Sequence, residues 1–484
     1  MSAPLTSIVL AAGEGTRMRS ATPKVLHQLA GRALVEHAVI AADQLAPDHL
    51  VVVTGHGREA VTEYLTGVGK RLERDVLTAV QEQRLGTGHA VQCGLAALPS
   101  DISGTVLVTY GDVPLLDGAT LREFVDAHSA NGNAVTVLTA EVEDPTGYGR
   151  IVRDANGGVA EIVEHKDATA ERLAIREINS GVYAFDAAVL SGALGRLNSH
   201  NAQGELYLTD VLSIARGDGH QVGAVICEDP WLVEGVNDRV QLSVLGAELN
   251  RRLVEQWQRA GVTFIDPQSV WLDCDVTLAQ DVLVEPGVQL RGTTSVATGA
   301  IVGPDTTLTD CVVGEGAHVY RAHGIGAEVG PECEVGPFTY MRPGTKLGRK
   351  AKLGGFVETK KADIGAGSKV PHLSYVGDAT IGEHTNIGAA TVFVNYDGVN
   401  KHHTFVGSHA RTGADNMFVA PITIGDGAYT AAGSVITQDV PPGAIGVARG
   451  AQRNIEGWVA RKRPGSAADQ AATRALNSSA TEED

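Results

Sequence analysis

Residues 1–236 alternate short runs of β-branched residues with segments of helical periodicity. Strand-like runs occur at SIVLAA, HLVVVTG, TVLVTYGD and NAVTVLTA, and helical patterns lie around residues 34–45, 59–65 and 121–130. Strands that alternate with helices predict crossover units and a mainly parallel, doubly wound α/β sheet. Ligands of such sheets bind beyond the carboxyl ends of the strands, where the loops AAGEGTRM and YGD are predicted to lie.

Residues 237–262 have the spacing of an amphipathic α-helix. Their large apolar residues recur at steps of three or four, at Leu242, Leu245, Leu249, Leu253 and Trp257. This period predicts a helix that connects the α/β domain to whatever follows it.

From residue 276 onwards the hydrophobic period changes to six. Neither an α-helix nor an ordinary alternating strand produces a period of six, whereas a triangular parallel β-helix does, with one aliphatic residue per hexad in its interior. A chance-spaced all-β domain is the alternative, and the number of residues in register disfavours it. Residues 263–460 are therefore predicted to form a left-handed parallel β-helix of hexapeptide repeats, from which residues 394–404 project as a loop. The residues in register are Leu278, Val284, Leu290, Val296, Val302, Leu308, Val329, Val335, Met341, Leu347, Leu353, Ile364, Val370, Val376, Val406, Thr412, Phe418, Ile424, Thr430 and Ile436.

The last segment, residues 461–484, is rich in small and polar residues. Such a composition buries little apolar surface, and it predicts a disordered tail. Its basic start, RKR, resembles a nucleic-acid arm, but three charges in so acidic a chain favour an ordinary solvated tail.

Composition limits the partners and the compartment. The chain has 39 Lys and Arg against 57 Asp and Glu, a net charge of −18, which disfavours sequence-independent binding to nucleic acids or anionic membranes. Five cysteines without CxxC spacing argue against a disulfide framework or a zinc site. No secretory signal and no uncharged apolar run of about 18 residues is apparent. A cytoplasmic protein is expected.

The first glycine-rich loop has the features of an anion site. Gly13 and Gly15 allow backbone N–H groups to approach a phosphate closely, and the cations Arg17 and Lys24 follow them. A single glycine loop is weak evidence, but GTRM followed by PK is specific. The string resembles the nucleotidyltransferase signature of sugar-1-phosphate pyrophosphorylases.

Further strings resemble that family in chain order, and the resemblance implies roles for their residues. Arg17 and Lys24 are implied to be catalytic, and Asp112 and Asn237 to bind Mg²⁺, which prefers oxygen ligands. In the implied reaction a sugar-1-phosphate oxygen attacks the α-phosphorus of UTP, so the site must neutralise charge and fix geometry rather than supply a strong base. The residues implied to bind UTP and the UDP-sugar are Leu10, Ala11, Gly13, Gly15, Gln81, Gly86, Thr87, Gly147, Glu164, Asn179 and Asn237.

The second half resembles the hexapeptide-repeat acyltransferases, which are trimers with active sites between neighbouring subunits. Acetyl transfer to an amine needs a base, and His372 in VPHLSYVGD is the candidate because imidazole titrates near neutrality. The resemblance implies that glucosamine-1-phosphate is bound by Arg342, Lys360, Tyr375, Asn386 and Lys401, and acetyl-CoA by Ala389, Asn395, Tyr396, Ala414, Ala432 and Arg449.

Over residues 5–463 the chain resembles bifunctional bacterial enzymes that unite both activities. The resemblance implies that the acetylated product becomes UDP-N-acetylglucosamine, a cell-envelope precursor. Because the two sites lie on separate domains, the intermediate is expected to be released and to rebind at the first site. The chain differs from the family pattern at one position. Several relatives have a serine where this chain has Ala414, so a hydroxyl near the acetyl group is missing.

Two rival functions remain at this point. In one, the β-helix of a pyrophosphorylase serves only assembly or regulation, but such enzymes lack the strings PHLSYVGD and NYDG. In the other, the chain is a non-catalytic exchange-factor subunit, which would lack the complete GxGTRM and PK set and the acidic metal ligand.

Overall fold

The computed structural model describes residues 4–479, and the chain divides into two compact units, Met1–Glu332 and Cys333–Asp484. The first unit contains an α/β domain, a long helix and the first coils of parallel β-structure. The second contains further coils and two short helices. The division falls among the coils rather than at the end of the long helix, so the domain boundaries expected at 236, 262 and 460 stay predictions.

The α/β domain is built on a nine-stranded sheet. Its main path runs β11–β7–β10–β6–β1–β4–β5, and β8 and β9 pair beside β10. All neighbours on this path are parallel except β10, which runs antiparallel to β6 and β7. The strands of this sheet are β1 Leu5–Ala11, β4 His49–Thr54, β5 Leu77–Val80, β6 Thr105–Tyr110, β7 Val135–Glu141, β8 Arg150–Arg153, β9 Val159–Val163, β10 Glu177–Asp186 and β11 Val222–Ile226. A separate two-stranded hairpin is formed by β2 Gln28–Leu29 and β3 Arg32–Ala33.

Helices cover both faces of this sheet. The central strands β1, β4 and β6 are therefore buried along almost their whole length, which explains their continuous runs of valine, isoleucine and leucine. The predicted α/β architecture is confirmed. The helices are α1 Leu34–Asp43, α2 Arg58–Leu72, α3 Thr87–Ala96, α4 Gly118–Ala130, α5 Ala170–Leu173, α6 Ala187–Leu194, α7 Asp210–Gly217 and α8 Arg239–Arg259.

Helix α8 is the expected connecting helix, and Asp238 caps it by accepting hydrogen bonds from the N–H groups of Val240 and Gln241. It is attached to the first coil by Asn250, whose side chain donates to Val270 O at 2.8 Å and accepts from Leu272 N at 2.9 Å. Asn250 is 6% exposed. A buried amide with both ends bonded fixes the helix against the strand that follows it.

The β2–β3 hairpin also docks on this coil. Cys274 N donates to Ala30 O at 2.9 Å, and the guanidinium of Arg32 forms an ion pair with Asp275. Gly31, at φ +83°, lies so close to Asp273 that a Cβ atom would be 2.8 Å from its carboxylate. The hairpin and the first coil are therefore one packed structure.

In the first unit the coils form three columns of parallel pairs, β12–β15–β18–β21, β13–β16–β19–β22 and β14–β17–β20–β23. Leu290 pairs with Leu308, 18 residues on, so three hexads make one turn of a triangular coil. The strands are β12 Thr263–Phe264, β13 Trp271–Leu272, β14 Thr277–Leu278, β15 Leu283–Val284, β16 Gln289–Arg291, β17 Ser295–Val296, β18 Ile301–Val302, β19 Thr307–Thr309, β20 Val312–Val313, β21 His318–Val319, β22 Ala322–Ile325 and β23 Glu328–Val329.

The second unit continues with parallel coils. All the residues of the period-six register are buried in both units, which confirms the predicted β-helix. The strands of the second unit are β24 Glu334–Val335, β25 Thr339–Met341, β26 Lys346–Leu347, β27 Lys352–Gly355, β28 Glu358–Ile364, β29 Lys369–His372, β30 Tyr375–Ile381, β31 Val392–Val394, β32 Thr404–Val406, β33 Met417–Val419, β34 Ile422–Ile424, β35 Tyr429–Thr430, β36 Val435–Ile436 and β37 Ile445–Gly446.

The end of the chain differs from the expected disordered tail. Helices α9 Trp458–Lys462 and α10 Ala467–Ser479 lie there, and residues 480–484 are outside the described part. Alanine has the highest helix propensity, and Ser466 Oγ accepts from Asp469 N at 3.2 Å, which caps the first turn of α10. Local helix propensity is therefore sufficient without burial.

No helix between residues 4 and 479 is long and apolar enough to cross a lipid bilayer.

Candidate functional site

Two adjoining cavities lie beyond the carboxyl ends of the central strands of the α/β domain, with volumes of about 240 and 280 Å³. Both are lined by Thr87, Tyr110, Asp112 and Glu205. The sequence-predicted residues Leu10, Ala11, Gly13, Lys24, Gln81 and Gly86 line the first cavity, and Gly147, Glu164, Asn179 and Asn237 line the second. The sheet thus brings together residues that are more than 200 positions apart.

A cluster of charge and amide groups lies at this junction. Lys24 Nζ forms an ion pair with Asp112 and donates to Asn237 Oδ1 at 3.1 Å. Arg17 donates to the same Asn237 oxygen at 2.9 Å. Val236 N donates to Asp112 O at 2.8 Å. This bond holds Asn237, the next residue, close to Asp112. The cluster therefore offers two cations to phosphate groups and two oxygens to a cation.

The geometry of this cluster fits a divalent ion. The oxygens of Asp112 and Asn237 already converge on one cation, the Lys24 ammonium, and both are ligands that Mg²⁺ accepts. Between residues 4 and 479, no group of three or more His, Cys, Asp and Glu side chains could hold a metal. A metal here would therefore need further oxygens from water and the nucleotide.

The glycine-rich loop packs against Lys24, one of the residues of this cluster. Gly15, at φ +66°, does not line either cavity, but a Cβ atom on it would lie 2.4 Å from Lys24 Cβ. Glycine at this position therefore allows the lysine to approach the loop.

Gln81 and Gly86 form the wall of the first cavity. Gln81 is 7% exposed, and its amide donates to Gly86 O at 2.9 Å. Gly86 has φ +108° and packs on Leu206, and Thr87 Oγ1 accepts from Leu208 N at 3.0 Å. These bonds fix the Gly86–Thr87 turn that begins α3.

Replacing Gly86 by alanine should destabilise this wall, because the new Cβ would lie 2.6 Å from Leu206 O at a left-handed φ. We expect a loss of about 3 kcal/mol of stability from strain and overpacking. Gly204, at φ +68° with nothing within 4 Å of a Cβ, is the matched control, and Gly204→Ala should lose only about 1 kcal/mol. Thermal unfolding of the two variants measures the difference, and equal losses would contradict the packing argument.

The second cavity has groups that suit a sugar. Burial, followed by the carboxylates of Asp167, Asp210 and Glu205, raises the pKa of Glu164. Asn179 Oδ1 accepts from Tyr183 OH at 2.8 Å and from Gly181 N at 2.9 Å, which fixes the plane of its amide. A carboxyl and an oriented amide are suitable partners for sugar hydroxyl and acetamido groups.

Sequence reasoning missed several residues of these cavities. Tyr110, whose pKa is raised by burial, lies in the quoted string YGD, and Arg84, paired with Glu14, lies in QEQRLGTGHA. Tyr148 and Glu205 also line the cavities. Position at the carboxyl end of a strand was a usable signal for Tyr110, whereas Glu205 lies in a loop that no pattern marked.

The second unit contains a separate polar cluster on β28 and β30. Lys360 Nζ lies 3.5 Å from Asp378 Oδ2, and Asn395 Nδ2 donates to that same oxygen and to Tyr375 OH at 3.4 Å. The neighbouring ammonium of Lys360 lowers the pKa of Lys401. Four of the predicted substrate-binding residues are thus brought together.

Three corner turns of successive coils form a column beside His372. Ala390 N donates to His372 O at 3.2 Å, Asp415 N to Ala389 O at 2.7 Å, and Gly433 N to Ala414 O at 2.9 Å. The predicted residues His372, Ala389, Ala414 and Ala432 therefore lie at or next to one corner. The small side chains of the three alanines leave the backbone of that corner accessible, and His372 itself is exposed.

The remaining predicted residues are more dispersed. Arg342 forms a 3.1 Å ion pair with Glu358, and Asn386 lies between Lys369 and Arg411 in a bridge of parallel strands. Tyr396 is exposed on the predicted loop, where it pairs with Lys401 in an antiparallel bridge. Arg449 lies on the exposed segment after β37. Within the described part of the chain, no hydrogen bond or ion pair joins Arg449 to the other predicted residues.

Comparison with known proteins identifies the family of this chain. A nucleotidyl transferase family model matches residues 6–273. The bifunctional protein GlmU of Kineococcus radiotolerans is 63% identical over 476 residues, which are 98% of this chain and 96% of that protein. Those of Nocardia farcinica and Corynebacterium efficiens are 61% and 60% identical, each over 97% of this chain and over 95% and 97% of their own length. The chain belongs to the GlmU family.

Family membership over nearly the full length decides between the functions left open by the sequence. The chain is a bifunctional enzyme of UDP-N-acetylglucosamine synthesis, with uridyltransferase and acetyltransferase activities, and UTP and acetyl-CoA are its co-substrates. A β-helix used only for assembly and a non-catalytic exchange-factor subunit are both excluded.

Proposed function

We propose that uridyl transfer takes place at the junction of the two cavities of the first unit. The observation that carries this assignment is the convergence of Lys24, Arg17, Asp112 and Asn237. Arg17 and Lys24 hold the phosphates of UTP, Gln81 and the Gly86–Thr87 turn hold its base, and Glu164, Asn179 and Gly147 orient N-acetylglucosamine-1-phosphate.

The chemistry of that step follows from the charges. A phosphate oxygen of the sugar attacks the α-phosphorus of UTP, and the bond to pyrophosphate breaks as the new phosphoanhydride bond forms. The nucleophile is already an anion, so the residues need only position it and balance charge. Asp112 and Asn237 would hold Mg²⁺, which supplies charge neutralisation when bound.

Acetyl transfer is assigned to the corner column and the polar cluster of the second unit. His372 takes a proton from the amine of glucosamine-1-phosphate while the nitrogen attacks the thioester carbon, and coenzyme A leaves as the C–S bond breaks. Arg342, Lys360 and Lys401 balance the sugar phosphate, with Tyr375 and Asn386 beside it. Ala389, Ala414, Ala432, Asn395, Tyr396 and Arg449 face acetyl-CoA.

A homotrimer would complete this second site. Phe338 and Phe356 stack at 5.1 Å and are 53% and 62% exposed, and Leu373, next to His372, is 61% exposed. An exposed apolar ladder that leads to the catalytic base favours burial against a second copy of the chain. Acetyl transfer is then expected in a groove shared by neighbouring subunits, in an enzyme of the cytoplasm that supplies the cell envelope.

The half-reactions test these assignments directly. Purified protein with acetyl-CoA and glucosamine-1-phosphate should release free thiol, and with UTP, Mg²⁺ and N-acetylglucosamine-1-phosphate it should release pyrophosphate. Sedimentation measures the oligomeric state. Absence of thiol release, or a monomer with full acetyl transfer, would contradict the assignment of the second site.

Ala414 allows a further prediction. Several relatives have a serine at this position, whose hydroxyl could steady the thioester carbonyl, whereas this chain must use a backbone N–H group for the same purpose. We expect Ala414→Ser to raise the rate of acetyl transfer by a few-fold, about the effect of one neutral hydrogen bond. Thiol release under saturating substrates measures it, with pyrophosphate release as the reference activity. An unchanged rate would remove any role for that hydroxyl.

A further inference from the structure

A partly buried carboxylate lies between two groups that are assigned to different substrates. Asp378 is on β30, at a left-handed φ of +49°, and its side chain is 15% exposed. Lys360, 14% exposed, is assigned to the sugar phosphate, and Asn395, 7% exposed, to acetyl-CoA. The carboxylate is not itself assigned to any ligand.

The same oxygen serves both neighbours. Asp378 Oδ2 lies 3.5 Å from Lys360 Nζ and accepts a hydrogen bond from Asn395 Nδ2. Parallel pairing of β28 with β30, which places Lys360 opposite Gly377, brings the lysine next to Asp378. A shift of this one oxygen would therefore move an ammonium and an amide together.

The environment leaves little room for other arrangements. A Cβ atom on Gly377 would lie 2.3 Å from Tyr375 OH and 2.8 Å from Asn395 Nδ2, so these side chains pass directly over the strand. Aspartate tolerates the left-handed region better than most residues, which allows the carboxylate to turn towards β28. The backbone conformation at residue 378 thus fixes where the carboxylate lies.

The negative charge of Asp378 also affects the two lysines beside it. Lys360 and Lys401 are adjacent ammonium groups, and Asp378 is the acid that acts on both of them. Repulsion between two neighbouring like charges disfavours their simultaneous protonation, and a nearby carboxylate offsets it. Two protonated lysines are what a phosphate dianion requires.

We propose that Asp378 is a positioning residue for acetyl transfer, which orients Lys360 towards the sugar phosphate and Asn395 towards acetyl-CoA through one shared oxygen. The inference rests on the substrate roles proposed for those two residues. It predicts that a change at residue 378 weakens the binding of both substrates, whereas a change at either neighbour weakens mainly one.

The test compares three variants of the full chain in steady-state thiol release. Asp378→Asn, which keeps the shape but removes the charge, should raise KM for glucosamine-1-phosphate and KM for acetyl-CoA by about tenfold each, with a smaller change in kcat. Lys360→Ala should raise mainly the first KM and Asn395→Ala mainly the second. Pyrophosphate release by each variant should equal that of the wild type.

A purely structural role would give a different pattern. Asp426, whose carboxylate accepts from Ser408 N at 2.7 Å in an exposed turn of the same unit, is the matched control, and Asp426→Asn should leave both KM values unchanged. Asp378→Glu restores the charge one methylene further out, so its two KM values should lie between those of Asp378→Asn and the wild type. This variant replaces Asp378→Asn in the test if Asp378→Asn does not fold.

Each outcome decides between the two proposals. If Lys360→Ala and Asn395→Ala raise their respective KM values but Asp378→Asn lowers only kcat or thermal stability, the positioning role is overturned and the substrate assignments stand. If the two neighbour variants leave both KM values unchanged, the substrate assignments and the inference fail together.

Discussion

Asp112→Ala is expected to lower uridyl transfer on the order of a thousandfold and to leave acetyl transfer at the wild-type rate. The substitution removes one of two oxygens proposed to hold the divalent ion and the counter-ion of Lys24. Loss of one preorganised electrostatic group in a phosphoryl-transfer site has an effect of about this size. Pyrophosphate release and thiol release, measured on the same preparation, give the two rates.

Asp117 is the matched control for this experiment. It lies five residues further on and caps α4, where its carboxylate accepts from Thr120 N at 2.8 Å. Asp117→Ala should lose about 1 kcal/mol of stability and keep uridyl transfer. Comparable loss of uridyl transfer in both variants would mean that Asp112 acts through folding, and the metal assignment would be wrong.

His372→Ala should lower acetyl transfer by about a hundredfold or more while uridyl transfer is unchanged. A positioned general base contributes about 10²–10⁴ to a rate, and no other imidazole lies in the corner column that contains Ala389, Ala414 and Ala432 among the described residues. Pyrophosphate release from the same preparation supplies a second measurement, because uridyl transfer should not depend on residue 372.

His384 offers a control in the same unit. It is exposed and stacks on His409 at a centroid distance of 5.3 Å, and it is not itself assigned to a substrate. His384→Ala should retain acetyl transfer. If His372→Ala kept more than about a tenth of the wild-type rate, a role as general base would be untenable.

The β-helix could be predicted from sequence because its interior admits one side chain per hexad. Each position of the register, such as Leu290 or Phe418, has the same environment in every coil, so the pattern repeats without tertiary information. The parallel sheet was predictable for a similar reason, since strands such as β4 are buried on both faces. Residues whose environment is set by a local repeating pattern can therefore be predicted from the sequence.

Features set by long-range packing were less visible. The antiparallel direction of β10 depends on its insertion between β6 and β7, which no local pattern marks. Of the five apolar residues that predicted α8, only Leu245 is fully buried, because Asn250 and Val254 occupy the contact with the first coil. The helix in the tail was missed because composition was weighed above alanine propensity.

For the sites as well, some features could be predicted from local strings and others depend on the fold. Lys24, Asp112 and Asn237 were identified by resemblance of separate strings, but only the fold shows that they converge on one point. Asp378 lies within the quoted string VPHLSYVGD and was given no role, because its importance depends on two partners from other strands. Tyr110 was missed although it adjoins the predicted ligand Asp112.

The docking of the β2–β3 hairpin on the first coil bears on where this polypeptide can be severed. The hairpin begins four residues after Lys24, and its anchor points, Cys274 and Asp275, lie beyond the end of α8. A cut directly after the connecting helix would strip the hairpin of those anchors and leave Ala30 O without its donor. A free-standing nucleotidyltransferase fragment must therefore retain the opening turns of the prism, which support the segment that follows Lys24, the lysine proposed to be catalytic.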